Sequence, residues 1–349
     1  MATVESEAQK LVLKIANDCI KEVPVLVVGS GASAAYGIRG MSGLSEYLIQ
    51  HVRPSAEDVG DWDAFRRKLT AYADLEKALQ EVTMSSGLLS RIVAVTRQMI
   101  VEDEQQVFSE ILEKGQSLAL EVLTRYLFRT IHMTLDIVTT NYDRLVEFAV
   151  CRGGYEAITG FSHGDYRQFV GRSMSPRRGS RRAGGKVVNV WKVHGSVDWF
   201  EDPRGNVVGL AGHLKAPPSF TPQIVTPGLS KYRQTHDEPF RTVISAADRA
   251  LSAARGFLCV GYGFSDDHIE PKLIDRTRTS KTPTVILARS LRPGALAFLR
   301  RKLHANIVAF VRHTSGTVAY TPENESGVVF ENRDLWSLDG FLKELGISE

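Results

Sequence analysis

Two rhythms of apolar and polar positions run along the chain. Short, nearly continuous apolar runs stand at Val25–Val28, Asp136–Thr140, Val187–Val193, Gly256–Gly261, Thr284–Ala288 and Ile307–Val311. Runs of this length, rich in β-branched residues and without an alternating polar face, predict strands buried on both sides, as in a parallel sheet. Between them the apolar residues recur at helical spacing. An amphipathic leading helix is expected over 4–21, from Val4, Leu11, Leu13, Ile15 and Ile20, and further helices at about 144–151, 239–254, 293–304 and 335–345. Gly37–Gly43 reads as a flexible loop, and Leu44 opens a helix. From about 62 to 132 Gly and Pro are scarce and the spacing is helical throughout, clearest at Leu118–Phe128. Residues 153–186 and the Pro/Gly-rich 203–228 read as loops, and no internal repeat is evident. Strands alternating with helices predict an α/β fold, with a doubly wound, mostly parallel, Rossmann-like sheet. The expected division is an α/β nucleotide-binding domain over 1–43 and 133–349, with a helical module, 44–132, inserted into it.

Composition narrows the class without naming a function. The 349 residues are 43 % apolar and 24 % charged, the balance of a globular chain with a sizeable core. A net charge of +3 is too small to imply nucleic-acid binding, and the basic stretch Arg172–Lys186 reads first as a solvated loop. Cys19, Cys151 and Cys259 lie far apart with no CxxC pair, so neither a disulfide framework nor a zinc ribbon is encoded. No signal-peptide pattern or 18-residue apolar stretch occurs, which makes a soluble cytoplasmic protein the expectation.

The candidate chemistry sits where strands end. Val25-Leu-Val-Val-Gly-Ser-Gly-Ala-Ser33 reads as a strand breaking into a tight glycine turn before a helix, a place where backbone N–H groups can meet a pyrophosphate. The fit of Gly29-x-Gly31-x-x-Ala34 to the dinucleotide fingerprint is loose. An acidic ribose ligand should follow about 20 residues later; Glu46 and Glu57 are nearest, and neither ends an obvious second strand. An ordinary dehydrogenase site is therefore not encoded. Thr139–Asp143, Lys192–Ser196 and Gly261–Asp267 also place polar residues at strand ends, and such ends line the ligand crevice of an open α/β sheet. Taken singly, each has a plain structural reading. Gly29 and Gly31 can serve a tight turn, Asn141 an Asx-turn, His194 a satisfied core position, and Asp266-Asp267 a helix N-cap rather than a metal site. His163 lies in a polar loop and reads as solvated.

Taken as an ordered set, Gly29-Ser-Gly-Ala-Ser33, Thr140-Asn-Tyr-Asp143, Val193-His-Gly195 and Gly261-Tyr-Gly-Phe-Ser265 resemble the sirtuin motifs, across roughly 23–290. The likeness is greater to the sirtuin-like NAD hydrolases of bacterial antiphage defence. It implies a sirtuin-type fold, NAD as substrate, and cofactor-binding residues Gly29, Ser30, Gly31, Ala32, Ser33, Asp143, Gly261, Tyr262 and Ser265. It also implies Asn141 and His194 as catalytic residues. Asn141 would hold the nicotinamide ribose or the attacking water, and His194 would act on a ribose hydroxyl as general base. Asp143 would orient the pocket.

Two departures argue against peptide deacylation. The four zinc cysteines that deacylases carry after the histidine motif are missing, and Pro222–Gly228 stands where an acyl-lysine-binding stretch would be. The implied reaction is metal-free cleavage of NAD to ADP-ribose and nicotinamide. A zinc-free deacylase or ADP-ribosyltransferase, and a non-catalytic NAD or ADP-ribose sensor, remain as alternatives. Constitutive NAD hydrolysis would poison its host, and neither a sensor domain nor a P-loop is recognisable. Control is therefore expected from a homo-oligomer and a separate activating protein, such as an ATPase or a nucleic-acid-guided protein, with no membrane and no direct nucleic-acid contact.

Overall fold

A computed structural model describes residues 6–171, 185–225 and 237–348. Most of the basic stretch 172–186, and Thr226–Gly228 of the Pro222–Gly228 segment, lie outside the described residues. The centre is a nine-stranded sheet of order β13-β12-β11-β10-β9-β1-β2-β5-β3. Its parallel part comprises β1 (Val25–Val28), β2 (Thr134–Thr139), β3 (Glu156–Ile158), β5 (Val187–Lys192), β9 (Phe257–Val260), β10 (Thr284–Ala288) and β11 (Ile307–His313). Every residue of β1, β5, β9 and β10 is buried, which is why these strands read as nearly continuous apolar runs. Leu26 lies opposite both Ile137 of β2 and Leu258 of β9. The chain therefore winds outward from β1 through β2 to β5, then returns to the other side of β1 with β9, β10 and β11. The winding reverses between β1 and β9, and the crevice beyond their carboxyl ends is where such sheets hold ligands. The expected doubly wound, mostly parallel α/β fold is observed.

Side-chain alternation sends β1 residues into two cores. Leu26 and Val28 pack with α1 (Glu7–Lys21), α7 (Ala119–Leu127), α8 (Leu145–Arg152) and α12 (Leu338–Glu344). Val25 and Val27 pack with α9 (Phe240–Ala253), α10 (Glu270–Ser280) and α11 (Pro293–Arg300). A third core joins α3 (Met41–His51), α4 (Val59–Tyr72), α5 (Leu75–Gln80) and α6 (Ser86–Lys114), through Leu48, Phe65, Leu79, Ile92 and Met99. Within the expected 44–132 insert, α7 stands apart from this core, because Ala119, Leu123 and Leu127 face the sheet.

Several elements depart from the sequence expectation. Helix α3 begins at Met41, inside the expected 37–43 loop, with Gly40 as its N-cap. Ser42 and Gly43 occupy its first turn, where N–H groups lack intrahelical partners anyway and weak helix formers cost little. The expected loops 153–186 and 203–228 contain strands β4 (Tyr166–Gln168), β7 (Val207–Leu210) and β8 (Thr221–Ile224). With β6 (Gly195–Glu201) they form an antiparallel sheet of order β4-β7-β6-β8. An antiparallel hairpin, β12 (Gly316–Thr321) with β13 (Asn324–Glu331), extends the main sheet beyond β11.

Candidate functional site

The glycine turn is held by the loop beside it. Gly29 N–H donates to Val260 O (3.0 Å) and Gly31 N–H to Gly261 O (3.1 Å), so the β1–β9 pairing runs on past both strands. A Cβ on Gly29 would lie 2.5 Å from Gly261 O, and one on Gly31 2.8 Å from Gly261 Cα. Gly261, at φ +61°, would drive a Cβ to 2.3 Å from Ala32 N. These glycines let two backbones touch. The expectation that Gly29 and Gly31 offer N–H groups to a diphosphate is corrected accordingly: both donors are spent inside the protein, and Gly261 fills the space beside Gly31. Ser30 opens the short helix α2 (Ser30–Ala34) and is exposed, Ala32 is half-buried, and Ser33 is buried.

Asn141, at the end of β2, is fastened to this turn. Its Nδ2 donates to Gly29 O (3.1 Å) and to Ser33 Oγ (2.9 Å), and its own N–H reaches Thr139 Oγ1 (3.0 Å). The side chain is only 6 % exposed, yet Oδ1 has no hydrogen-bond partner. A buried acceptor left open costs on the order of 1–3 kcal/mol. This cost makes the oxygen the natural place for a donor from outside the chain. Two residues on, Asp143 Oδ1 accepts from Leu145 N–H (3.1 Å) and stabilises the start of α8. That oxygen of Asp143 is taken by the turn into α8. Beneath it the buried Lys192 Nζ donates to Asp143 O and lies 3.1 Å from Glu147 Oε1. Burial pushes the Glu147 carboxyl up, against the pull of Lys192.

His194 follows β5 and meets a partner absent from the expected site set. Its Nε2 lies 2.7 Å from Asp266 Oδ2. The two groups are in close polar contact. Asp266 is 5 % exposed, and its other oxygen, Oδ1, accepts from His268 and Ile269 N–H (3.0 Å each). Burial alone would raise the Asp266 carboxyl; His194 and the two N–H groups outweigh it and hold the group well below the usual carboxylate range. The expected N-cap role of Asp266 is corrected: Ile269 is the N-cap of α10, with no side-chain cap, and Asp266 instead closes the turn before that helix. Phe264 sits at φ +55°, the left-handed region, where the chain turns the Phe264 ring inward ahead of Asp266.

Tyr262 is buried with its hydroxyl unpartnered. Burial, with the Asp266 charge nearby, pushes its pKa well above the ordinary value and keeps it a donor. The Tyr142 ring lies 6.5 Å from that of His194, and its hydroxyl donates to Val225 O (2.7 Å). Ser265 is exposed. The structure therefore brings Gly29, Gly31, Ser33, Asn141 and Gly261 into one contiguous cluster, and His194, Tyr262 and Asp266 into another on the same strand ends. Farther along this edge a cavity of about 330 Å³, lined by Arg289, Leu296, Arg300, Arg312 and Tyr320, contains none of the expected site residues. Among the described residues no group of three or more His, Cys, Asp or Glu is placed to hold a metal ion, and no helix is long and apolar enough to cross a membrane.

Comparison with known proteins gives a coarse assignment. A family model described as "SIR2-like domain" matches residues 136–307. That span contains Asn141, His194, Gly261, Tyr262, Ser265 and Asp266 but not the Gly29–Ser33 turn. No curated protein matches the chain. Similar solved structures include a Sir2 homologue mutant with 2'-O-acetyl ADP ribose, at 18 % identity and TM-score 0.44 over 84 % of this chain and 88 % of that one. A Sir2 homologue–NAD complex has 16 % identity and TM-score 0.44, over 87 % and 89 %. A Sir2 mutant with a p53 peptide and NAD has 13 % identity and TM-score 0.46, over 97 % and 99 %. The match to that family model runs from within β2 to the start of β11.

Proposed function

We propose that this protein is an NAD glycohydrolase, cleaving NAD with water to ADP-ribose, nicotinamide and a proton. One observation carries the reading: the unpartnered Asn141 Oδ1 and the His194–Asp266 pair stand on the loops that follow β2, β5 and β9, at the carboxyl edge that holds the sheet's switch point. Breaking the ribose–nicotinamide bond sends the bonding pair to the ring nitrogen, discharging the cationic nicotinamide and leaving an oxocarbenium-like sugar. Water then bonds to the anomeric carbon and loses a proton. Asn141 Oδ1 accepts a hydrogen bond from a ribose hydroxyl or from that water, holding it in line. His194 takes the proton as general base, and Asp266 balances the imidazolium that forms. Tyr262 O–H offers a donor at the nucleotide end. Since the Gly29 and Gly31 N–H groups are spent, the diphosphate must be held by other donors.

The sirtuin-like likeness extends this reading to an effector of bacterial antiphage defence that depletes NAD, controlled by self-assembly and a separate activating protein. Incubation of the purified chain with NAD, with and without the product of a neighbouring gene, tests both parts. Equimolar ADP-ribose and nicotinamide are the expected products. Nicotinamide release only with an acyl-lysine peptide would replace hydrolysis by deacylation, and tight NAD binding without turnover in either condition would make the protein a sensor.

A further inference from the structure

Helix α6 is 29 residues long, about 43 Å at 1.5 Å per residue. Its first half belongs to the helical core, through Leu88, Ile92, Met99 and Ile100. Its second half does something different. Asp103, Glu104, Val107 and Ile111 are buried, and their spacing puts them on one face. Val107 and Ile111 pack with Ile38, from the loop after the glycine turn, and with Leu145, from the turn after Asn141.

The two carboxylates grip the same two loops. Asp103 Oδ2 accepts from Arg39 N–H (2.8 Å), and its oxygens also take Arg39 Nε (3.0 Å) and Nη2 (2.7 Å). The Arg39 guanidinium lies 4.8 Å over the Tyr47 ring of α3, which fixes it from the other side. Glu104, with no exposed surface, repeats the pattern on the second loop. It accepts from Arg144 N–H (3.0 Å) and Nε (2.8 Å) and pairs with Nη2. About two turns before Glu104, Arg97 Nε donates to Val197 O (2.6 Å), three residues after His194. A backbone N–H and a guanidinium of the same residue, both taken by one carboxylate, fix main chain and side chain together. That this happens twice, from successive residues of one helix, ties the segments after β1 and β2 to a single rigid body.

We propose that α6 sets the catalytic geometry, with Asp103 the positioning residue for the Arg39 loop and the glycine turn, and Glu104 the positioning residue for the turn that carries Asn141. The proposal rests on the NAD-cleaving reading of the site. Any displacement of the helical module along or about α6 moves both loops at once, so a contact on the module is felt at the nucleotide site.

The two carboxylates predict separable defects. In Glu104→Gln, Asn141 loses its setting and kcat falls roughly a hundredfold, the usual effect of an ångström-scale misplacement, with KM near wild type. In Asp103→Asn, KM for NAD rises and kcat changes less. Hydrogen exchange gives a second readout independent of chemistry. Glu104→Gln should deprotect peptides covering 141–146 and Asp103→Asn those covering 37–41, each sparing the other. Glu110→Ala, which breaks only exposed contacts with Gln106 and Lys114 on the same helix, should change neither. If Glu104→Gln fails to fold because Arg144 is left buried, Glu104→Gln/Arg144→Gln removes both charges and carries the same expected kinetic defect. Should the wild type cleave no NAD, the function fails separately, and affinity for ADP-ribose with the exchange pattern decides the positioning. Wild-type exchange and kinetics in both variants overturn the proposal. Losses that merely track the melting temperature, in both loops alike, overturn it too.

Discussion

The glycine turn and the His194–Asp266 corner sit at adjacent strand ends and are built on opposite principles. In the turn nearly every polar atom is answered within the chain: Gly29 and Gly31 N–H by the β9 loop, Ser33 Oγ and Gly29 O by Asn141. Asn141, though fastened to the turn, leaves Oδ1 buried and unanswered, and in the corner Tyr262 O–H is buried and unanswered and His194 Nε2 lies 2.7 Å from Asp266 Oδ2. The glycines, the most conspicuous feature of the sequence, serve packing. The groups prepared for a ligand are the ones the fold leaves unpaid.

That contrast makes the largest effects fall on Asn141 and the corner. Asn141→Ala and His194→Ala should each lower NAD turnover by about a hundredfold or more, the loss expected when positioning or general-base help is removed. Both should keep a cooperative melt. Near-normal turnover in either, with melts matching wild type, would place catalysis elsewhere.

In the turn the expected damage is to the fold. Gly31→Val and Gly261→Ala push a Cβ into backbone atoms of the facing loop, at 2.8 and 2.3 Å. Overpacking of this kind costs about 1–3 kcal/mol, and the positive φ of Gly261 adds to it. Denaturant melts should show the loss with or without NAD. A Gly31→Val protein with wild-type stability and lost NAD affinity would return the turn to the ligand.

Asp266→Asn is expected to act on both rate and stability, by smaller amounts. Without the carboxylate an imidazolium at His194 goes unbalanced, so kcat should fall about tenfold or more, within the range of general-base effects. The stability effect has a defined sign. The folded-state pKa of Asp266 is depressed. Its contribution is therefore fully present above the unfolded value, near 3.9, and is lost as pH falls through the folded value. Acid titration of the wild type below about pH 4 should show a loss of stability that Asp266→Asn lacks. Parallel acid curves for the two proteins would mean that Asp266 bears no net favourable charge interaction.

What the sequence made legible follows from locality. Val25–Val28 and Thr284–Ala288 are buried along their whole length, so their apolar runs matched the strands closely. The small sheet was illegible because β4, β7 and β8 have three or four residues each, and Gly205 and Pro217 at their turns read as loop. The β12–β13 hairpin was missed because β13 has a single buried residue, Phe330, and its apolar run, Val328–Phe330, is only three residues long. Asn141 and His194 were found through an ordered motif set, not through their own surroundings. Asp266 was seen only as a cap, since its Oδ1 bonds lie within three residues while its Oδ2 partner is 72 positions away. Lys192 looked like the end of an apolar run, and its role depends on Glu147 and Asp143 in another element.

The smallest expected effect gives the sharpest division between the two regions. Tyr262 O–H is buried without a partner, so the free protein bears a desolvation cost for it of on the order of 1–3 kcal/mol. Tyr262→Phe keeps the ring against Phe264, 4.9 Å away, and removes only the oxygen. If the hydroxyl belonged to the fold, as the polar atoms of the glycine turn do, its removal would destabilise the protein. If it awaits a ligand, the variant should melt at or above the wild-type temperature and still bind NAD more weakly. One hydrogen bond of about 0.5–1.5 kcal/mol corresponds to a rise in Kd of about two- to thirteenfold. Calorimetric melts and NAD titration on the same preparations read the two quantities. Stability and affinity moving in opposite directions is the expected result. A destabilised variant with unchanged affinity would show that Tyr262, like the glycines beside it, is there for the protein alone.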